Sequence, residues 1–206
     1  MKTIILRLSI MLLLFCNVVG CTNNEFIKTG ISNGKHPGTI LEYLESDSYN
    51  WDSTLIMIHV AGLENLFDGE EKITFLGPTN HSIRRYMLEN NVHRVEDLGS
   101  EFCRTTLLRH IMKGKVMREE FPRGVDNRVG EELIGTGGEI YTMMGGNKIW
   151  AYTFRGAYQD VSDVGAVTLY VTSIDGKIDI PIASTDIEPI NGVVHSLGYS
   201  FTLGEM

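Results

Sequence analysis

The stretch ASTDIEPINGVVHSLGYSF, residues 183–201, says more about the fold than any other part of the chain. It contains an Asn191-Gly192 pair, which favours a tight turn and permits a positive φ, followed by apolar residues at alternate positions. This alternation predicts a β-strand with His195 on an apolar face. Because a buried imidazole needs a hydrogen-bond partner, His195 is either a catalytic or ligand-binding group or a structural residue bonded to another segment.

The rest of the second half of the chain is also strand-like. From about Val116 onward, glycine becomes frequent and the apolar residues alternate, which is typical of β-strands joined by tight turns. The Asp175-Gly176 pair favours a hairpin between residues 167–174 and 177–182.

The first half of the folded region is predicted to be mostly helical. Apolar residues between positions 40 and 63 recur at helical spacing. A short β-rich run at residues 73–76 then leads into a second helical pattern, for which Thr79 is a favourable N-cap. A further helix is predicted with Ser100 as its cap and Gly114 as its terminator.

The first twenty residues resemble an export signal, because a basic start precedes an apolar stretch too short to span a bilayer. The sequence Val18-Val19-Gly20-Cys21 resembles a bacterial lipobox, whose cysteine is acylated; an ordinary cleaved signal is the alternative. Thr22 follows Cys21 in place of the aspartate that retains some lipoproteins at the inner membrane, so this resemblance implies export and lipid anchoring at the outer membrane. The expected regions are a signal peptide at 1–20, a lipid-anchored tether at 21–36 and a single domain at 37–206.

Charge and cysteine usage agree with an envelope protein. Without its first twenty residues the chain has 16 basic and 26 acidic residues, a net charge of −10, since only Lys2 and Arg7 are removed. An acidic protein of this kind argues against nucleic acid as a partner and leaves the acyl group on Cys21 to bind the membrane. Cys103, in an apolar helical pattern, is predicted to be a buried, unreactive thiol.

The sequence matches no recognised catalytic or metal-binding pattern. Its six histidines form no H-x-x-x-H pair, and its three cysteines form no C-x-x-C pair. The glycine-rich stretch GEELIGTGGEIYTMMGG fits neither a P-loop nor a dinucleotide fingerprint, and no G-x-S-x-G motif occurs. We therefore predict no metal, no cofactor and no enzymatic activity.

Three blocks, in a consistent order and spacing, resemble the fasciclin domain: ITFLGPTNHSIRRYM at 73–87, LLRHIMKGKV at 107–116, and the opening stretch at 183–201. The resemblance implies an α+β fold, a fasciclin-like wedge in which a β-sandwich-like core is flanked by several α-helices. The matching residues are Thr74, Phe75, Pro78, Thr79, Asn80, Leu107, Leu108, His110, Gly114, Lys115, Asp186, Ile187, Asn191, Gly192, Val193, Val194 and His195. Gly77, His81, Ser82 and Ile83 depart from the family pattern. The stretch 123–166 matches the family least well, so we expect it to hold an enlarged hairpin.

Within these blocks we assign structural roles to seven family-motif residues, Thr79, Asn80, His110, Asp186, Asn191, Gly192 and His195. The His195 ring is expected to hydrogen-bond to the segment around Thr79 and Asn80, and His110 is expected to be a satisfied core histidine. Arg109 stands where animal members have the tyrosine of a tyrosine–histidine pair associated with integrin adhesion. That adhesive role is therefore not carried over to this chain.

The resemblance implies a non-catalytic cell-envelope lipoprotein that acts as an adhesion or protein-interaction module, with an envelope or extracellular protein as its partner. The alternative is a glycan-binding lipoprotein associated with an outer-membrane polysaccharide uptake system. The candidate binding residues, which alternate along one strand register, are Trp150, Tyr152, Phe154 and Tyr158. These rings either form an exposed platform that stacks on sugars or pack the sheet against a helix.

Overall fold

The computed structural model describes residues 34–206, and Gly34–Met206 form one unit. The predicted signal peptide, Cys21 and most of the predicted tether lie outside the described residues. Within residues 34–206, none of the helices has the length and apolar character needed to cross a membrane.

Helices dominate the first half of the described chain, as the sequence predicts. Their bounds are α1 Ile40–Ser46, α2 Ser48–Ala61, α3 Glu64–Asp68, α4 Asn80–Glu89 and α5 Ser100–Arg109. Thr39 and Glu42 form a capping box at the start of α1, and Gly62, in the left-handed conformation with φ 62°, ends α2. Single 3₁₀ turns occupy Val95–Leu98 and Arg118–Glu120.

In the described part of the chain, the strands form two four-stranded sheets and one small ribbon. Their bounds are β1 Ile73–Gly77, β2 Ile111–Lys113, β3 Gly124–Val125, β4 Thr136–Gly137, β5 Glu139–Thr142, β6 Lys148–Arg155, β7 Val167–Ser173, β8 Ile178–Ile180, β9 Ile182–Ile187 and β10 Gly192–Leu197. The first sheet has the order β2-β1-β10-β9, with β1 and β10 parallel. The second sheet, β5-β6-β7-β8, is antiparallel throughout, and β3 pairs with β4. The α+β fold class is confirmed.

The helix predicted to run from Ser100 to Gly114 is shorter than expected. It ends at Arg109, because Ile111–Lys113 leave the helix and pair with β1 as β2. Its N-cap is Gly99 and not Ser100, which is already the first helical residue. The apolar residues in this segment fit the spacing of a helix and also that of a strand. Pairing with β1 makes Ile111–Lys113 a strand.

Two glycines that the sequence analysis assigns to turns also serve close packing. The hairpin at Asp175-Gly176 is confirmed, but the positive φ falls on Lys177, and a Cβ on Gly176 would collide with the carbonyl oxygen of Glu205. A turn does precede β10, yet Gly192 does not have a positive φ. A Cβ on Gly192 would collide with the carbonyl oxygen of Ile73, so glycine allows β10 to approach β1.

The main core lies between the helices and the two sheets. Its largest fully buried side chains include Trp51, Phe67, Phe75 and Phe201. All six residues of β10 are buried, which places this strand at the centre of the molecule. Along β6 the side chains alternate, so Ile149 and Ala151 join the main core while the intervening aromatic rings face the other side of the second sheet.

Candidate functional site

His195 is fully buried and bridges two segments. Its Nε2 lies 3.0 Å from the carbonyl oxygen of Val116, and its Nδ1 lies 3.2 Å from the backbone nitrogen of Asp186. Because a carbonyl can only accept and a backbone N–H can only donate, the ring is neutral with its proton on Nε2. Burial lowers the pKa of His195, which favours the same neutral form.

The expected bond from His195 to the segment around Thr79 and Asn80 is wrong. Parallel pairing places His195 opposite Leu76, and its ring leaves the sheet toward Phe121, with a centroid separation of 5.9 Å. The ring therefore reaches the loop that follows β2 and not the segment that precedes α4.

Asp186 fastens the same loop from the neighbouring strand. Its Oδ1 accepts a hydrogen bond of 2.6 Å from the backbone of Arg118, whose side chain also lies 3.5 Å from Oδ2. The backbone of Asp186 has a φ of 62°, a conformation that aspartate tolerates better than most residues. Asp186 and His195 are thus adjacent, but they meet through a backbone N–H, and both ring nitrogens of His195 are engaged. Neither nitrogen is available to act as a base.

Asn191 joins the helical layer to the first sheet through all three hydrogen-bonding groups of its buried amide. Its Oδ1 accepts from the backbone N–H of Ile40 at 2.7 Å. Its Nδ2 donates to the carbonyl oxygens of Phe67 and Gly69, at 2.8 and 2.9 Å. One side chain thereby fixes the start of α1, the end of α3 and the start of β10.

Asn80 performs the same task at the start of α2. Its Oδ1 accepts from the backbone N–H of Ser53 at 2.7 Å. Its Nδ2 donates to the carbonyl oxygens of Ser48 and Tyr49, at 3.0 and 2.7 Å. The first turn of α2 is therefore held against the first turn of α4.

His110 is buried at the end of α5, with Nδ1 2.9 Å from the carbonyl oxygen of Leu76 and its ring edge-on to Phe201 at 5.4 Å. Burial lowers the pKa of His110 to about 4. Thr79 is also buried and occupies the N-cap position of α4, but its side chain makes no capping hydrogen bond and its Oγ1 has no partner.

The motif residues therefore lie in the seams between helices and strands. The polar groups of Asn80, Asn191, His110 and His195 are directed at backbone groups of other segments, and three of these four side chains are buried. Such residues determine which segments pack together, and they offer little surface to a partner.

The four aromatic residues predicted to share one strand register are only partly exposed, and Tyr158 does not belong to that strand, because β6 ends at Arg155. The exposed fractions are 0% for Trp150, 3% for Tyr152, 43% for Phe154 and 62% for Tyr158. The expectation of an exposed platform is therefore wrong for the first two rings. They pack under residues 124–138 and not under a helix, with Trp150 Nε1 donating to the carbonyl oxygen of Gly137 at 3.0 Å.

The glycines of this covering segment explain how it can approach the rings so closely. A Cβ on Gly124 would lie 2.6 Å from the Cβ of Tyr152, and one on Gly138 would lie 2.6 Å from Trp150 Nε1. The glycines that the sequence analysis assigns to turns are thus required where the backbone crosses aromatic rings.

An arginine that the sequence analysis does not identify locks this segment to the second sheet. Arg128 bonds to Asp126 at 2.7 Å and to Asp179 of β8 at 2.9 Å, and its guanidinium lies 5.7 Å from the centre of the Trp150 ring. Hydrogen bonds to Asp126 and Asp179 raise the pKa of Arg128, and the same bonds lower the pKa of each aspartate. No short sequence pattern links Arg128 with Asp179, because they meet only in the folded sheet.

Beyond this lock, β6 and β7 continue as a hairpin finger, residues 156–165. Gly165 donates to the carbonyl oxygen of Gly156 at 2.9 Å, and Tyr158 and Val161 exchange two backbone hydrogen bonds of 2.9 and 3.0 Å. Between these two residues, Gln159 and Asp160 both have positive φ, at 48° and 62°, as a type I′ turn requires.

The finger carries three exposed apolar side chains, and β3 and β6 at its base carry two more. We define the finger surface as Val125, Phe154, Tyr158, Val161 and Val164, each of which is at least 43% exposed. Val125 and Phe154 line one shallow groove together with Asp163. Asp163 is in turn 2.7 Å from Arg123, so an ion pair borders the apolar side chains.

Groups suited to redox or metal chemistry do not come together in the described part of the chain. Residues 34–206 contain no cluster of three histidine, cysteine, aspartate or glutamate side chains that could hold a metal ion. Cys103 is buried, and burial raises the pKa of its thiol to about 11. A thiol in this environment is a poor nucleophile near neutral pH.

Comparison with known proteins shows which kind of domain carries the finger surface. The fasciclin domain model matches residues 50–199. The fold is similar to that of a FAS1 domain pair from the insect cell adhesion molecule fasciclin I, with a TM-score of 0.52 and 15% identity, over 78% of this chain and 50% of that one. The chain thus spans about half the length of that domain pair, and at this identity the likeness concerns the fold alone. None of the curated proteins matches the chain.

Proposed function

We propose, since the chain belongs to the fasciclin domain family, that it is a non-catalytic adhesion or protein-interaction module of a cell envelope. In this proposal the protein is exported, carries an acyl group on Cys21 and is held at the outer membrane. Its partner is another envelope or extracellular protein. Family membership supports adhesion, and the resemblance of the first residues to a bacterial lipoprotein signal supports the anchor.

The finger surface is the observation that carries the proposal. It combines two aromatic rings with three valines, all exposed: Tyr158, Val161 and Val164 on the finger, and Phe154 and Val125 on β6 and β3. Aromatic side chains are enriched among the residues that contribute most to protein–protein binding. The Arg123–Asp163 ion pair supplies the polar edge that such surfaces normally have.

A crosslinking experiment in intact cells tests the protein partner. A photoreactive phenylalanine derivative replaces Tyr158 in one variant and Tyr49, a somewhat more accessible tyrosine on α2, in a matched control. We expect a discrete protein adduct from position 158 and none from position 49. Equal adduct patterns from both positions, or no adduct from position 158, would contradict the proposal.

Polysaccharide binding is the second candidate, favoured by two half-exposed rings, Phe154 and Tyr170, on the same face of the second sheet. Affinity gel electrophoresis with a panel of polysaccharides separates the two candidates. Retardation of the protein that is lost in Phe154→Ala would favour a glycan partner. Trp150→Ala is unsuitable for this purpose, because Trp150 is buried and its loss would disturb the fold.

The anchor is tested separately from the binding surface. Cys21→Ser should abolish labelling of the protein with a radioactive fatty acid and should release it from the membrane fraction. Cys103→Ser, which changes a buried thiol, is the matched control and should leave labelling unchanged. Labelling that persists in Cys21→Ser would contradict the lipid anchor without affecting the adhesion proposal.

A further inference from the structure

A second feature lies away from the finger surface and shares no residue with it. A cavity of about 140 Å³ opens between α1, α2 and the β9–β10 pair. Three aromatic rings contribute to its walls, Tyr43, Trp51 and Tyr199. Trp51 is 1% exposed and Tyr199 is 56% exposed, so the cavity runs from a buried ring to an accessible one.

The position of Trp51 depends on a residue at which this chain departs from the fasciclin pattern. Gly77 is the last residue of β1, and a Cβ there would lie 2.7 Å from the six-membered ring of Trp51. Real Cβ atoms essentially never come so close to another atom. Glycine at position 77 therefore makes room for the ring that forms the inner end of the cavity.

The polar part of the wall contains a buried hydroxyl group that lacks a partner. Thr79 lines the cavity and is 2% exposed, yet its Oγ1 has no hydrogen-bond partner and does not cap α4. A buried hydroxyl is normally paired, so this one indicates a missing donor or acceptor. Ser184 and Ser196, which face each other where the β9–β10 register is irregular, add two further hydroxyls.

From these features we infer that the cavity binds one neutral sugar ring. None of the described residues that line it is charged, which disfavours an ionic ligand. Aromatic rings and hydroxyl groups together suit the apolar faces and the hydroxyls of a sugar. The volume equals that of about five water molecules, at about 30 Å³ each in the liquid. A space of this size suits part of a single sugar ring, with the remainder at the accessible end beside Tyr199, and is too small for an oligosaccharide.

The test uses the whole protein and a panel of neutral sugars, namely glucose, galactose, mannose and N-acetylglucosamine. Calorimetric titration measures binding of each sugar to the unsubstituted protein and to Thr79→Val, which removes the hydroxyl and keeps the shape. We expect millimolar binding of at least one sugar, weakened about tenfold in Thr79→Val by the loss of one hydrogen bond. Thr168→Val, at an exposed threonine on β7, is the matched control and should bind normally.

The stability of Thr79→Val provides an independent check. Because the hydroxyl is buried without a partner, its removal should leave the melting temperature unchanged or raise it. Gly77→Ala should displace Trp51 and abolish binding. The inference is overturned if no sugar of the panel binds, which would mean that the cavity holds only water. Equal affinity of Thr79→Val and the unsubstituted protein, or equal weakening in Thr168→Val, would also overturn it.

Discussion

The first sheet and the outer face of the second sheet use polar and aromatic side chains in different ways. In the first sheet, the amide of Asn191 and the imidazole of His195 are buried and bond to backbone groups of other segments. On the outer face of the second sheet, the aromatic row passes from fully buried Trp150 to half-exposed Phe154, beside an ion cluster centred on Arg128. The blocks that resemble the family thus supply the frame, by which we mean the polar residues Asn80, His110, Asn191 and His195 that bond to backbone groups of other segments. The segment 123–166, where the resemblance is weakest, supplies the exposed surface.

The largest effect on stability is expected from Asn191→Ala, which would leave three backbone groups without partners. Each buried unpaired group costs about 1–3 kcal/mol, and part of that cost is relieved by relaxation, so the free energy of unfolding should fall by about 3–4 kcal/mol. Urea denaturation measures the change. Asn90→Ala, at an exposed asparagine, is the control and should lose less than about 1 kcal/mol. Similar losses in both variants would remove the contrast between frame and surface.

Acid pH should weaken the frame through His110. Burial lowers its folded pKa to about 4 from an ordinary value of 6.5, so between these values the unfolded chain binds a proton that the folded chain does not. Stability should therefore fall as the pH decreases from about 6.5 to about 4. The contribution is about 3 kcal/mol, at about 1.4 kcal/mol for each pKa unit. Denaturation at several pH values measures it, and His110→Asn should reduce the slope in this range, with the remaining fall due to buried His195, whose pKa burial also lowers. An unchanged slope in His110→Asn would show that another group is responsible.

The sequence predicts local features of the fold better than contacts between distant segments. The helices, the strands and the buried position of His195 follow from periodicity. The partner of His195 could not be predicted, because it depends on the parallel pairing of β1 with β10. Alternation along β6 places Trp150 and Tyr152 on one face, but it does not reveal that residues 124–138 fold back to cover them. The rotamer of Thr79 decides whether its hydroxyl caps α4, and residue type does not specify it.

A moderate effect is expected on the outer face when the lock on residues 124–138 is broken. Arg128→Met removes contacts with two aspartates that are largely exposed, so the loss of stability should be only about 1 kcal/mol. Local opening should increase more clearly, seen as faster hydrogen exchange or proteolysis within residues 124–138. Arg94→Met, which breaks an exposed pair with Glu96, is the control. Unchanged local protection in Arg128→Met would mean that the glycine–aromatic packing alone holds the segment.

The smallest effect on stability is expected from the finger surface itself. Phe154→Ser removes a ring that is 43% exposed, and the free energy of unfolding should change by less than about 1 kcal/mol. Thermal unfolding of the variant beside the unsubstituted protein measures the change. A loss as large as that of Asn191→Ala would place Phe154 in the frame and would leave the finger surface with Tyr158 as its one aromatic residue.

The most direct test of the account is the yield of the protein adduct formed through position 158 in cells, with and without Phe154→Ser. If the frame carries stability and the finger surface carries binding, the adduct should be lost in Phe154→Ser while the level of the protein stays the same and its melting temperature falls by no more than about 4 °C. An adduct that persists at full yield in Phe154→Ser would contradict the account, since binding would then not depend on the exposed surface of the second sheet.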